Sequence, residues 1–163
     1  MTRMLLLLRH GKSDWGQGMD DHERPLSKRG KRDAWRMGEE IRARGLLPEM
    51  ILSSTARRAR STTRRVVEAS GYGGEVIYEP SLYAAGMMAY VEAAANLSDS
   101  VQTALIVGHN PILEDLVRWL TGREVTLPTA ALACIPLPIQ SWGDLRQEGS
   151  GTLGMVLAAD ELG

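Results

Sequence analysis

Residues 4–15 read MLLLLRHGKSDW, and the stretch breaks in mid-course: five apolar side chains run straight into Arg9, His10 and Gly11. A continuous apolar run of this length fits a strand buried on both faces. It is too short for a membrane span or a typical signal-peptide core, and no small-residue cleavage pattern follows it. Burial on both faces demands helices above and below the sheet. The abrupt polar end then marks the place where the chain leaves the sheet, and Gly11 lets it turn and lets backbone approach a ligand.

The same pattern occurs twice more. MILSSTARRARSTT takes a short apolar segment through Ser53 and Ser54 into an arginine-rich helical stretch, and ALIVGHNPILEDLV takes another through Gly108 and His109 into a helix, with Asn110 as the expected N-cap and Pro111 at the first helical position. Strands are expected at Met4–Leu8, Met50–Leu52, Glu75–Tyr78, Thr103–Val107, Ala131–Leu137 and Leu153–Ala158. Helical periodicity places Ala34, Met37, Gly38 and Ile41 on one stripe after a Ser27 cap, with Gly45 and Pro48 as the stop. A second stripe holds Ala59, Thr62, Thr63, Val66 and Val67; a weaker alanine-rich helix covers Gly86–Leu97; the clearest stripe, Ile112 to Leu120, closes at Gly122.

This alternation predicts an α/β fold, a three-layer α/β/α sandwich with a mostly parallel central sheet, in which ligands gather at the carboxyl ends of the strands. The 163 residues contain no repeat or long linker, so one domain over 1–163 is expected, with no room for a large cap domain. With no Phe and four each of Trp and Tyr, aliphatic side chains must fill most of the core. The lone Cys134 excludes an intrachain disulfide and reads as a small buried hydrophobe, and a cytoplasmic location without membrane contact is expected.

Three strand ends thus deliver two histidines and several arginines toward one place. That set suits a phosphoryl group: guanidinium forks match phosphate oxygens, and helix N-termini offer free N–H donors. A neutral imidazole can attack phosphorus and carry it covalently, with no metal or cofactor needed, while flanking cations stabilise the in-line transition state. A formal net charge of −1 gives no global attraction to polyanions, so phosphate affinity must be local and nucleic acid is not the expected partner. Most of RRARSTTRR reads as a solvated helix face, His22 as a solvent-exposed loop residue, and Trp142 equally as a core lid or a contact surface.

The ordered set LLLLRHGKSDW, DDHERPLSKRGKRDAWRMG, SSTARRARSTT and LIVGHNPILEDLV resembles the histidine phosphatase superfamily, and within it the short SixA-type phosphohistidine phosphatases, over nearly the whole chain. The resemblance implies that His10 accepts the phosphoryl group with Arg9 beside it. Laid on Ser54 to Ala59 and Thr62, the mid-chain family motif picks Arg58, not Arg57, as the second phosphate clamp, and the late motif makes His109 the other pocket histidine. It also suggests Lys12, Ser13 and Arg24 as substrate contacts, Arg24 serving equally well in a structural ion pair. The chain departs from the family pattern at Thr55, where proline is common, at Arg57, usually apolar, and at Ser61, where glutamine is frequent.

A larger departure concerns acid catalysis. Relatives acting on esters place a glutamate after the third strand, but Ser81 to Met88 contain no carboxylate; Asp14, Asp21 and Glu79 are the remaining candidates for an acid, each reading rather as a solvated loop charge, so the acid stays unassigned. An alkoxide needs a proton as it leaves, whereas the imidazole of a phosphohistidine can already carry one. The expected partner is therefore a phosphorylated protein, with phosphohistidine as the group hydrolysed. The alternatives are a small phosphorylated substrate, in a broad phosphomonoesterase or nucleotide phosphatase, and a non-catalytic module that binds phosphorylated partners. The sequence sets no oligomeric state.

Overall fold

A computed structural model of the chain describes residues 2–16 and 18–162. Six strands form one sheet: β1 (Arg3–Arg9), β2 (Met50–Ser54), β3 (Val76–Glu79), β4 (Thr103–Gly108), β5 (Leu132–Leu137) and β6 (Met155–Leu157), in the order β3-β2-β4-β1-β5-β6. β3, β2, β4 and β1 run parallel, and β5 and β6 add an antiparallel edge. Helices α1 (Lys28–Ala43), α2 (Arg57–Ser70), α3 (Ser81–Ala84), α4 (Met87–Ala95) and α5 (Ile112–Thr121) complete the fold, and none is long and apolar enough to cross a membrane.

Why β1 is apolar on both sides is now visible. Leu5 and Leu7 enter a core shared with α4 and α5, while Leu6 and Leu8 enter a second core under α1 and α2. All four are essentially inaccessible to solvent, and burial of each contributes roughly 1.5–3 kcal/mol. The helix stripes read from the sequence face the same two layers: Ala34, Met37 and Ile41 on α1, Ala59 and Val66 on α2, and Leu113, Leu116, Val117 and Leu120 on α5 are buried. The Ser27 hydroxyl caps α1 by accepting from the Gly30 N–H, and Gly122 ends α5 in the left-handed conformation.

Two local expectations are corrected. Asn110 does not cap α5, because Pro111 occupies the N-cap and the Asn110 amide instead donates to the Leu127 carbonyl and to Glu114. The single turn α3 falls where no helical period is present in the sequence, being too short to show one. Trp142, left open between lid and contact surface, is a lid: its side chain is fully buried and its indole N–H donates to the Val101 carbonyl at 2.8 Å.

Candidate active site

β1, β2 and β4 end side by side. Arg9 lies in register with Gly108 and Ser53 with Val107, and the chain beyond β1 stays attached, the His10 N–H donating to the Gly108 carbonyl at 3.1 Å. The His10 and His109 rings are therefore neighbours, with centroids 5.1 Å apart. Arg9, His10, Lys12, Ser13, Arg24, Arg58 and His109, the seven residues selected from the sequence, line one cavity of about 520 Å³ together with Trp15, Asp21 and Tyr83.

Close backbone contact fixes the loop after His10. A Cβ on Gly11 would stand 2.7 Å from the Gly30 carbonyl oxygen, and one on Gly30 would collide with the Lys12 carbonyl, so the turn and the start of α1 can approach only as glycines. The Thr62 hydroxyl ties the loop to α2 by accepting from the Gly11 N–H and donating to the Arg58 carbonyl.

The two imidazoles are held neutral. Burial, with the neighbouring His109, Arg58 and Arg9 acting in the same direction, pushes His10 down to about 3, and burial followed by Arg58 pushes His109 down to about 4. His10 Nδ1 lies 2.7 Å from the Gly11 carbonyl, which can only accept. Nδ1 therefore carries the proton, and the lone pair belongs to Nε2 on the opposite edge. His109 Nε2 pairs with the Ser54 hydroxyl at 2.7 Å. Ser54 already accepts from the Ala56 N–H, so donation to His109 satisfies its own buried proton and leaves Nδ1–H as the donor of the neutral His109 ring.

Positive charge dominates the cavity: Arg9, Lys12, Arg24 and Arg58 face a single carboxylate, Asp21. Asp21 accepts from Tyr83 at 2.8 Å, from Arg24 at 2.9 Å and from Arg58 at 3.1 Å, and its backbone carbonyl accepts from Arg58 at 2.7 Å. The Tyr83 hydroxyl, followed by the two guanidinium groups, holds the Asp21 carboxyl down at about 2, and the same bond raises the Tyr83 phenol. Arg24 also donates to Ser13 at 2.8 Å and stacks 3.7 Å above the Trp15 ring, so it both lines the mouth and forms an ion pair. Arg9 donates to the Leu127 carbonyl at 3.0 Å; burial lowers its guanidinium and Glu114 partly restores it.

Asp21 and Tyr83 were not selected from the sequence. Asp21 is no free loop charge but the anchor of two cavity arginines, whereas Asp14 and Glu79 stay outside the cavity. His22, expected in solvent, is partly buried: it donates from Nδ1 to Glu23, pairs through Nε2 with the Thr55 hydroxyl and packs edge-on to Tyr83 at 4.7 Å. Thr55 thereby supplies a bond that a proline there could not make. Among the described residues, no group of three or more His, Cys, Asp or Glu side chains gathers to hold a metal ion.

Known proteins share this architecture. A SixA structure from Nakamurella multipartitia, assigned as a phosphohistidine phosphatase, superposes with a TM-score of 0.85 at 26% identity over 96% of each chain. Its counterpart from Agrobacterium tumefaciens, likewise assigned, gives 0.82 at 29% identity over 96% of this chain and 97% of that one. A chloroplast protein of Arabidopsis thaliana is 32% identical over 87% of this chain and 70% of its own length. Residues 5–90 match the model of the histidine phosphatase superfamily, branch 1, and the chain, belonging to that superfamily, is a phosphatase.

Proposed function

We propose that the protein hydrolyses phosphohistidine, with phosphohistidine on a protein as the preferred substrate, through a covalent intermediate on His10 and without a metal ion or cofactor, the whole chain 1–163 acting as one domain. In the first step the Nε2 lone pair of His10 attacks phosphorus in line with the bond to the substrate ring. The P–N bond to the substrate breaks, and its electron pair returns to an imidazole that already carries a proton on its other nitrogen. In the second step water attacks the phosphoryl group on His10, releasing inorganic phosphate and the neutral ring. Arg9 and Arg58 neutralise the equatorial oxygens, His109 donates to one of them, and Lys12, Ser13 and Arg24 hold the substrate at the mouth.

One observation carries the choice of substrate. Asp21 is the only carboxyl group among the described lining residues, and at about 2 it holds no proton to give at neutral pH. Ester hydrolysis would lack a carboxylic acid for its alkoxide, a contribution of roughly 10²–10⁴ in rate. A protonated imidazole leaves without that help. The second reading, a broad phosphomonoesterase, is favoured only by Tyr83, whose raised phenol keeps a proton beside the cavity.

Two measurements test the proposal. Brief mixing with a radiolabelled phosphohistidine donor should leave an acid-labile, alkali-stable label on the wild type and none on His10→Ala; a labelled His10→Ala protein defeats the assignment. A panel of phosphohistidine peptides, sugar phosphates and nucleotides should give the highest kcat/KM for the peptides, and equal or better values on the esters would transfer the conclusion to the second reading.

A further inference from the structure

The arginine-rich run of α2 serves the cavity with only one of its five arginines. Arg58 enters it; Arg57, Arg60, Arg64 and Arg65 lie on the far side of the 3-10 turn Asp21–Glu23, where with Lys31 they line a separate groove of about 290 Å³. Among the described residues Glu23 is the one carboxylate lining that groove, and it reaches Arg60 at 3.7 Å. Among the described residues, no ion pair takes up Lys31, Arg57, Arg64 or Arg65. Five cations against one acid is an imbalance that a solvated helix face, with both signs interspersed, does not need.

We propose that this groove docks an acidic segment of the phosphorylated protein substrate while its phosphohistidine occupies the cavity, an inference that rests on the phosphohistidine reading above. Spacing selects the occupant. Arg57 adjoins the clamp Arg58, while Arg64 and Arg65 lie nearly two turns further along α2, roughly 10 Å at 1.5 Å per residue. A small metabolite whose phosphate rests on Arg58 does not span that distance around the Asp21–Glu23 turn. A protein segment with carboxylates one and two helical turns from its phosphorylated histidine does. Single-stranded nucleic acid fits less well, because among the described residues no aromatic side chain lines the groove for bases to stack on.

The test uses two phosphohistidine peptides that differ only in acidic or neutral flanks, free phosphohistidine, and the double variant Arg57→Glu/Arg64→Glu, whose positions are exposed and outside the cavity. The wild type should favour the acidic peptide by roughly tenfold in kcat/KM, a preference that the variant and about 0.5 M salt both abolish. Turnover of free phosphohistidine by the variant should stay within about twofold of the wild type, as expected of a surface charge effect. Equal kcat/KM for the two peptides in the wild type, or an equal loss on free phosphohistidine, overturns the docking site. Anisotropy titration of the phosphate-free peptides separates the two hypotheses if no phosphohistidine is hydrolysed. Tighter binding of the acidic peptide, lost in the variant, upholds the groove without the substrate reading, whereas equal binding, or preferential binding of a single-stranded oligonucleotide, removes it.

Discussion

Polar groups at the two ends of the central sheet serve opposite purposes. At the amino ends of β1, β2 and β4 the bonds stay within the protein: Arg3 donates to the Asp99 carbonyl although its buried Nε has no partner, the exposed Glu49 accepts from the backbone of Gln102 and Thr103, and the Trp142 indole donates to Val101. At the carboxyl ends they are crowded and incompletely matched. Two imidazoles are kept from protonating, and among the described lining residues four cations share one carboxylate. Completed hydrogen bonds stabilise the fold. Unmatched cationic donors instead cost stability until an anion arrives, which is how a preformed phosphate pocket behaves.

Substitutions at each end should separate these roles. The largest effect is expected for His10→Ala, which removes the attacking nitrogen: kcat should fall by about 10⁴-fold or more, while urea unfolding at neutral pH shifts by no more than about 1 kcal/mol. Trp142→Ala should behave in reverse, losing about 3–5 kcal/mol through the cavity it leaves but keeping kcat within about twofold below its lowered Tm. The contrast collapses if either variant shows the other's signature in paired kinetic and unfolding measurements.

A smaller effect is expected from acid. His10 and His109 titrate near 6.5 when unfolded but at about 3 and about 4 when folded, so below pH 6.5 the unfolded chain takes up protons that the folded chain refuses. The stability they permit is fully present above pH 6.5 and falls as pH drops toward those values, at most about 1.4 kcal/mol per pH unit for each ring. Unfolding midpoints between pH 7 and pH 5 should slope less in His10→Ala than in the wild type. Equal slopes would show that the carboxyl end is not the strained one. Over the same range both enzyme rings stay neutral, so any change in kcat/KM should follow protonation of the substrate's own imidazole.

What the sequence revealed of this contrast follows from chain distance. The strand ends were legible because an apolar run yields to Arg9-His10-Gly11, and again to Gly108-His109, within a few residues, and the parallel sheet then brings those ends together. Asp21 and Tyr83 were not, because their bonds close loops of 37 residues to Arg58 and 62 residues between themselves; a carboxylate in DDHERP carries no local sign of its partner. The only available signal was indirect, the charge of that loop beside an arginine-rich helix. Asn110 shows the converse: its local pattern pointed to a cap, and a carbonyl 17 residues away won its amide.

The bond from His10 Nδ1 to the Gly11 carbonyl also dictates regiochemistry. With that nitrogen occupied, the covalent intermediate proposed on His10 forms only at the tele position of the ring and never at the pros position. An isomer-selective antibody, or the phosphorus resonance of the trapped protein, would therefore read out which edge of the imidazole meets the substrate.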